Sequence, residues 1–324
     1  MKTLKKILKR ILTVAVILAA VICLNQWMNN HVFVNHITAE STNLPDAFEG
    51  FRILQLTDIH SVRSMEQLDG IMEKVEKEEP DLIVVTGDLV DSYYYTSSAN
   101  ELEELKRKAK ESMGETMDIA EGVPDALTLQ LMEQLIAAAP VYMVYGNHEM
   151  VLLDDPEKNP LKVAMEDAGV VLLNHKKVRL EKDGDSIWLT GVQDPIVLYK
   201  DKLFAGSGEN NRERLTAELD YVMDGLTEEE YVILLSHRPE YFELYTGYPV
   251  DLALTGHAHG GQVRLPLIGG LYAPGQGWFP RYTAGLYEQG DFKMITGRGI
   301  GNSKNLTRVF NPPEIVLVEL GKRE

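Results

Sequence analysis

Two histidines in a glycine-rich turn are the first residues of this 324-residue chain that could do chemistry. His257 and His259 stand in the run Thr-Gly-His-Ala-His-Gly-Gly-Gln, directly after the apolar residues 252–254, which read as a buried strand. Residues two apart on extended backbone project to the same side, and neutral imidazole is the commonest metal ligand in proteins. A polar turn with two surface histidines explains this pair equally well, so a metal site requires partners elsewhere in the chain.

Four further apolar runs end in residues that can bind a metal. Residues 51–56, 82–85, 141–145 and 231–235 are strand-like, and each is followed by such residues: Asp58 and His60, Asp88 and Asp91, Asn147 and His148, and His237. A lone Asp after a strand is usually a helix N-cap, but capping does not explain five strand endings that all carry oxygen or nitrogen donors. Active-site loops of α/β proteins gather at the carboxyl ends of strands. The pattern therefore predicts one metal site.

The order of these motifs carries a resemblance. D-x-H, G-D-x-x-D, G-N-H-E, a lone His and G-H-x-H resemble the calcineurin-like metallophosphoesterase superfamily. Later segments at 191–195, 256–266, 285–287, 297–301 and 313–317 resemble its bacterial membrane-associated phosphoesterase branch. The similarity runs from about residue 45 to the end of the chain. Ala258 stands where Thr or Ser is usual, and Glu149 where many members carry Asp, but neither change removes a ligand.

The resemblance implies an α/β fold, a four-layer α/β/β/α sandwich, with two divalent metal ions. The implied ligands are Asp58, His60, Asp88 and His259 for one ion, and Asp88, Asn147, His237 and His257 for the other, with Asp88 shared. Two ions about 3.5–4 Å apart clamp the attacking and leaving oxygens and supply hydroxide near neutral pH. Mixed oxygen and nitrogen donors suit Mn, Fe, Zn, Co or Ni, and the spacing does not select among them.

Three residues near these ligands have other expected roles. His148 follows Asn147 and is placed to protonate the leaving oxygen, with a structural hydrogen bond as the alternative. Asp91 is expected to orient a ligand or cap a helix. Arg298, in a glycine-rich loop, could bind phosphate oxygens of the substrate or form a surface salt bridge. The remaining histidines are expected to be structural or incidental: His31, His36 and His175.

The N-terminus predicts a membrane anchor. Five cations in the first ten residues precede an uncharged apolar run of 14 residues, 11–24. A membrane span needs about 20 residues, and extension through Trp27, a residue type that prefers the membrane interface, brings the run near the lower limit. We expect residues 1–30 to be an uncleaved signal anchor, with a cleaved signal peptide as the alternative. The positive-inside rule then places a single-pass protein in the cell membrane with its catalytic domain outside the cytoplasm.

Composition limits the remaining possibilities. With 44% hydrophobic and 25% charged residues, the chain has an ordinary globular composition, and residues 31–324 are expected to form one domain. The single Cys23 excludes a disulfide framework and a zinc–thiolate site. A net charge of −17 would repel polyanions, so we expect no nucleic acid partner. We also expect a monomer.

An acidic stretch at about residues 92–139 predicts a helical insertion in this domain. Its periodicity favours two helices, with charged residues along most of the first. Solvated helices are one interpretation. A lid over the site is the other, because the stretch follows the strand that leads to Asp88.

Together these features predict a metal-dependent phosphoesterase acting on a phosphodiester, phosphomonoester or pyrophosphate. A non-catalytic metal-binding scaffold of the same fold is the alternative, but such a scaffold would be expected to lose ligands, and all seven are present. Tyr145 stands where phosphoprotein phosphatases carry Arg, which disfavours that substrate class. The membrane anchor and the apolar side chains between 265 and 287 favour a lipid-linked or envelope substrate, although the same side chains could pack a core.

Overall fold

Two six-stranded sheets packed face to face form the centre of the fold. The computed structural model describes residues 2–91, 125–153, 159–198, 201, 203–204, 206–302 and 308–323. The first sheet has the strand order β1-β16-β2-β3-β4-β5, with bounds β1 Phe33–Ser41, β2 Arg52–Leu56, β3 Leu82–Thr86, β4 Val141–Val144, β5 Val171–Leu172 and β16 Glu314–Lys322. The second has the order β14-β15-β9-β8-β7-β6, with bounds β6 Lys176–Lys182, β7 Asp185–Gly191, β8 Val232–Leu235, β9 Leu252–Thr255, β14 Gly285–Gln289 and β15 Phe292–Thr296.

Two small hairpins and seven α-helices complete the regular structure of the described residues. The hairpins pair β10 Arg264–Leu265 with β11 Gly269–Gly270, and β12 Tyr272–Ala273 with β13 Gly277–Trp278. The α-helices are α1 Lys2–Asn29, α2 Met65–Glu78, α3 Ala126–Ala138, α4 Pro160–Ala168, α5 Pro195–Leu198, α6 Asn211–Met223 and α7 Phe242–Tyr245. Short 3₁₀ turns occupy Asp46–Phe48, His148–Leu153, Pro239–Tyr241 and His259–Gly261.

The apolar core has three parts, one between each pair of adjacent layers. Helices α2, α3 and α4 cover the outer face of the first sheet, and α6 and α7 cover that of the second. Between the sheets, side chains such as Ile53 and Val84 pack against Ile233 and Leu254 of the opposite sheet. This arrangement confirms the predicted α/β/β/α sandwich, because each sheet buries one face on the other sheet and one face on helices.

The predicted insertion is only partly covered by the described residues. Residues 92–124 lie outside them. The remaining part contains α3, which buries Leu127, Leu131, Met132 and Leu135 in the core beside the first sheet. This helix connects the parallel strands β3 and β4, so it belongs to the sandwich itself.

The N-terminal helix α1 is longer than the 14-residue apolar run. Residues Thr3–Asn29 are long and apolar enough to cross a membrane, with a mean hydropathy of 2.5 over the most apolar window, and that window is not buried in the protein. The end of the helix contacts the domain. The side-chain amides of Asn25 and Asn29 donate to the carbonyl of Arg308 at 2.9 and 2.8 Å, and the amide of Phe310 donates to Asn25 Oδ1 at 2.8 Å.

The strands that precede the predicted ligands are parallel neighbours. In the first sheet β2, β3 and β4 pair in parallel, and in the second β8 and β9 do so. Gln55 connects the two sets, because its Nε2 donates to Thr86 Oγ1 (2.9 Å) and to the carbonyl of Thr255 (2.8 Å). Thr86 ends β3 and Thr255 ends β9. The carboxyl ends of these parallel strands, from both sheets, therefore meet at one edge of the sandwich.

Candidate metal centre

Six of the seven predicted ligands come together at this edge in two groups that share one carboxylate. Asp88 is that carboxylate, and both groups are buried: Asp58, His60, Asp88 and His259 in one, and Asp88, His237 and His257 in the other. Within each group the potential ligand atoms lie within 4.8 Å of one another. Each group could hold one divalent ion, with Asp88 serving both.

The donor atoms face one another at short range. Nε2 of His60 lies 3.0 Å from Nε2 of His259, and Nε2 of His237 lies 3.1 Å from Nδ1 of His257. Oδ2 of Asp88 lies 3.2 Å from Nε2 of His237 and 3.8 Å from Nε2 of His60. The other ring nitrogen of His237, Nδ1, meets the carbonyl of Thr86 at 2.8 Å, which leaves Nε2 to face the centre. Convergent lone pairs of this kind suit a cation.

Asn147, the seventh predicted ligand, follows β4 beside the shared carboxylate. The next backbone amide, that of His148, donates to Asp88 Oδ1 at 2.9 Å. Oδ1 of Asn147 is buried and has no hydrogen-bond partner among the described residues. An unsatisfied buried carbonyl oxygen is costly, and a divalent ion would satisfy it. The nitrogen and oxygen donors present therefore fit two such ions, of a kind that their chemistry leaves open.

Burial sets the protonation of the histidines. It lowers the pKa of His60 and His259 to about 3 and that of His257 well below its usual value, which leaves neutral rings that can bind a metal. Burial also opposes a charge on His237, but attraction to Asp88 raises the pKa of that ring to about 10. A divalent ion at Nε2 would displace this proton, so metal binding is coupled to proton release.

Left-handed backbone is concentrated at the predicted ligands. Five of them have φ between 46° and 64°: Asp58, His60, Asp88, His257 and His259. Positive φ costs energy for residues other than glycine, although Asp, Asn and His tolerate it better than most. Such strain clusters where the surrounding structure fixes a functional geometry. Here the left-handed backbone lies in the loops that follow the strands, at the residues whose side chains form the two ligand groups.

Glu149 holds two of the ligand-bearing loops together. Its buried carboxylate accepts the amides of Asp88 (2.9 Å), Gly146 (2.7 Å) and Val90 (3.2 Å). Burial and then repulsion by Asp88 raise its pKa to about 7. Gly146 itself has no space for a side chain, because a Cβ there would collide with Asp88. The G-N-H-E motif therefore supplies close packing and a clamp as well as Asn147.

His148 and Asp91 lie beside the first ligand group. The ring of His148 packs edge-on against His60 with 4.6 Å between centroids, and its side chain remains partly exposed at 13%. Nδ1 of His148 is 3.9 Å from Asp91, whose carboxylate also pairs with Arg63 at 3.0 Å. Asp91 is thus placed to orient His148, and the acid role of His148 stays a prediction.

Two arginines near the centre have different environments. Arg298, predicted to bind phosphate, pairs with Glu314 at 3.2 Å, the salt bridge that was the alternative; its substrate role stays a prediction. Arg308, which sequence reasoning missed, is fully buried. Its guanidinium donates to the carbonyls of Arg298 (2.9 Å) and Gly301 (2.6 Å) and lies 3.3 Å from Nδ1 of His259. Burial lowers its pKa to about 10, so it stays charged at neutral pH.

A buried ion pair supports the loop that carries His237. Arg238 pairs with Asp194 through two contacts, Nε–Oδ2 at 2.5 Å and Nη2–Oδ1 at 3.3 Å. Asp194 lies in segment 191–195, which contributed to the family resemblance. In the structure this segment supports the loop that carries His237 through the ion pair with Arg238. The amide of Asp194 also donates to the carbonyl of Tyr145 at 2.8 Å, which connects this loop to β4.

The other histidines lie outside the two groups, as expected. His31 contacts the carbonyl of Trp27 at 2.7 Å, and His36 pairs with Glu78 at 3.3 Å. His175 lies 3.4 Å from Glu218.

Comparisons with known proteins identify a family and several relatives. The profile of the Calcineurin-like phosphoesterase family matches residues 51–261, more than half of the chain. The metallophosphoesterase YkuE of Bacillus subtilis (strain 168) is 27% identical over 285 residues, covering 87% of this chain and 83% of its own. The phosphodiesterase YaeI of Escherichia coli (strain K12) is 29% identical over 280 residues, covering 83% and 82%.

A further relative has a pyrophosphatase name. The UDP-2,3-diacylglucosamine pyrophosphatase LpxG of Chlamydia muridarum (strain MoPn / Nigg) is 25% identical over 327 residues, covering 89% of this chain and 91% of its own. The resemblance that the motifs predicted is confirmed. The chain belongs to the calcineurin-like phosphoesterase family and is a metal-dependent phosphoester hydrolase.

Proposed function

We propose that the protein is a two-metal phosphodiesterase. The observation that carries the proposal is the position of Asp88 in both buried ligand groups, because a carboxylate has two oxygens and can serve two ions. The printed names of YaeI, a phosphodiesterase, and LpxG, a pyrophosphatase, support the same reaction class.

Each ion would be held by a defined set of side chains. Asp58, His60 and His259 would complete one site, and Asn147, His237 and His257 the other, with Asp88 common to both. Two such ions act as Lewis acids towards phosphoryl oxygens and lower the pKa of a water molecule to about 7. Neutral imidazole and amide donors keep the negative charge of the ligand set low, which preserves the affinity of the site for an anionic substrate.

His148 would serve the leaving group. Its ring packs against His60, and its partly exposed side chain faces the carboxylate of Asp91. A positioned imidazole can donate its proton to a departing alkoxide, which is strongly basic and leaves poorly without one. Asp91 would hold the ring in the donating orientation.

The charges around the centre favour a phosphodiester over a phosphomonoester. A phosphodiester carries one negative charge at neutral pH, whereas a monoester carries close to two. Arg298 is already paired with Glu314, and the guanidinium of Arg308 is fully buried among backbone carbonyls. Neutralisation of the substrate would therefore depend on the two ions, which suits the singly charged ester.

Hydrolysis of model esters tests the proposal. Full-length protein in detergent, supplied with Mn²⁺, should hydrolyse bis-p-nitrophenyl phosphate with a higher kcat/KM than p-nitrophenyl phosphate. Asp88→Ala should abolish both activities. A preference for the monoester would contradict the charge argument, and activity that survives Asp88→Ala would contradict the shared-carboxylate site.

We further propose that α1 anchors the domain outside the cytoplasm. Its length and hydropathy and the basic residues at its start support this orientation through the positive-inside rule. Protease added to cells with a permeabilised outer layer and an intact cell membrane should degrade the domain. Complete protection would reverse the orientation, and quantitative release into the medium would indicate cleavage of the anchor.

A further inference from the structure

Exposed apolar side chains are concentrated in one short segment. Outside α1, thirteen large hydrophobic residues are exposed among the described residues, and six of them lie between 265 and 279: Leu265, Leu267, Ile268, Tyr272, Trp278 and Phe279. Leu267 is completely exposed, and Trp278 and Phe279 are 72% and 70% exposed. We call residues 264–279, which form the two small hairpins, the apolar hairpins. Such clustering on a surface marks an interaction site.

Hydrogen bonds hold the backbone of the apolar hairpins in place, while their large apolar side chains are exposed to solvent. The amide of Leu271 donates to the carbonyl of Val263 at 2.9 Å, and that of Phe279 donates to the carbonyl of Leu271 at 2.8 Å. Leu267 and Phe279 have φ of 68° and 54°. Positive φ is unfavourable for bulky apolar residues and persists only where the structure imposes it. The fold therefore presents these side chains at an energetic cost.

The apolar hairpins are continuous with the end of α1. Val263 forms a β-bridge with Val309, and the amide of Arg264 donates to the Val309 carbonyl at 2.9 Å. The residues on either side of Val309 hold the helix: the carbonyl of Arg308 and the amide of Phe310 bond to Asn25. One short segment, 308–310, thus joins the hairpins to the last turns of the apolar helix.

We propose that the apolar hairpins are a second membrane contact, seated in the interfacial layer of the bilayer that α1 spans. The occupant of this surface is lipid. The hydrogen bonds of Asn25 and Asn29 fix the domain to the helix near the membrane surface, and segment 308–310 brings the hairpins to the same place. Trp and Tyr prefer the membrane interface, and exposed Leu, Ile and Phe side chains bury their apolar area among acyl chains.

This contact would turn the metal centre towards the lipid surface. His259 lies five residues before the start of the hairpins, and its carbonyl accepts the side-chain amide of Asn311, next to segment 308–310, at 2.7 Å. Phosphodiesters in the headgroup layer would then lie near the centre. This consequence rests on the proposed two-metal activity, whereas the membrane contact rests only on the proposed membrane anchor α1.

Tryptophan quenching in vesicles tests the contact without using activity. Full-length protein carrying Trp27→Phe and Trp188→Phe keeps Trp278 as its only tryptophan. In phosphatidylcholine vesicles with bromine on the upper acyl chain, Trp278 should lose more than half of its emission relative to unbrominated vesicles. The matched control, Trp27→Phe with Trp278→Phe, keeps Trp188, which pairs with the first residue of β8 at the opposite end of the strands. Its emission should not change.

Other occupants give different results. Quenching of Trp278 by aqueous acrylamide but not by brominated lipid would leave the hairpins in water and overturn the proposal. Shielding from both quenchers would mean that protein, such as a second copy of the chain, covers them, and would overturn it too.

An activity measurement separates this proposal from the proposed function. Leu267→Ser with Phe279→Ser should lose most hydrolysis of a phosphodiester headgroup displayed on vesicles and retain hydrolysis of bis-p-nitrophenyl phosphate, which also shows that the variant folds. Equal rates on the vesicle substrate for wild type and variant would contradict the consequence for the metal centre. Absence of all diester hydrolysis by wild type would count against the proposed function and leave the quenching result unaffected.

Discussion

Nη2 of Arg308 lies 3.3 Å from Nδ1 of His259, on the side of the ring opposite the nitrogen that faces His60. The guanidinium is held by two backbone carbonyls and by Oδ1 of Asn302 at 2.8 Å. A neutral ring that binds a metal through Nε2 carries its proton on Nδ1, and a guanidinium is only a donor, so Arg308 restricts the ring by packing and not by a hydrogen bond. Groups behind a metal ligand commonly govern the affinity of the site.

Loss of this support should weaken one metal site. Arg308→Ala is expected to lower metal affinity at the group containing His259 by about 10–100-fold, because the loop at 298–301 loses the side chain that holds two of its carbonyls. Arg308→Lys should not restore the affinity because an ammonium cannot reproduce the planar set of contacts. Competition with chelators of graded affinity measures the effect. Arg52→Ala, which removes an ion pair with Glu78 at the other end of β2, is the control and should leave affinity unchanged. Equal metal affinity in Arg308→Ala would disprove the supporting role.

The shared carboxylate makes a different prediction for the number of ions bound. Asp88→Ala should lose both ions, because Asp88 belongs to both ligand groups, whereas His259→Ala should lose chiefly one. Elemental analysis of dialysed protein gives the metal-to-protein ratio directly. An Asp88→Ala protein that retained two tightly bound ions would rule out the shared role.

The residues that gather in the two ligand groups could be predicted from sequence, whereas the residues behind them could not. Each ligand follows an apolar strand within a short motif, so local pattern was sufficient to find Asp58 or His237. Arg308 stands in no such motif; its role depends on a tertiary contact with His259, 49 residues away. In sequence Glu149 is only a departure from the family pattern, because its three amide contacts depend on the pairing of β3 with β4.

The same reasoning explains what local pattern leaves open in the helices. The apolar run of 14 residues is short for a membrane span, and α1 extends it through Trp27 to Asn29, within the predicted segment 1–30. Apolar periodicity identified the helix after residue 125 but could not tell a solvated insertion from a core element. That distinction required the partner surface on the first sheet.

Glu149 should contribute to stability through its three backbone acceptor contacts. Glu149→Ala leaves three buried backbone amides without their acceptor, and each such amide typically costs about 1–3 kcal/mol. Chemical denaturation in detergent should show a free energy of unfolding lowered by at least the cost of one of them. The exposed Glu181→Ala serves as the control. An unchanged free energy in Glu149→Ala would mean that the clamp is unimportant.

Glu218 should make stability depend on pH. Burial raises its pKa from the usual 4.5 to about 7, so the folded state binds a proton more tightly than the unfolded state does. The contribution of Glu218 to the free energy of unfolding is greatest below about pH 4.5. It declines by a total on the order of 3 kcal/mol as the pH rises through about 7. Glu218→Gln should make the profile less steep between pH 5 and 8 and be more stable than wild type at pH 8, while Glu149, whose pKa is also raised to about 7, keeps part of the slope. Parallel wild-type and variant profiles would contradict this.

The proposed acid role of His148 can be separated from a structural role by the choice of leaving group. General acid catalysis typically contributes about 10²–10⁴-fold, and its benefit grows with the basicity of the leaving oxygen. An alkoxide needs the proton, whereas p-nitrophenolate departs without it. His148→Ala should therefore slow alkyl phosphodiester hydrolysis far more than bis-p-nitrophenyl phosphate hydrolysis, with two ions still bound. If His148 only supports His60 through ring packing, the variant should lose metal and slow both substrates by the same factor. That second result would remove His148 from the reaction and leave the two-metal centre intact.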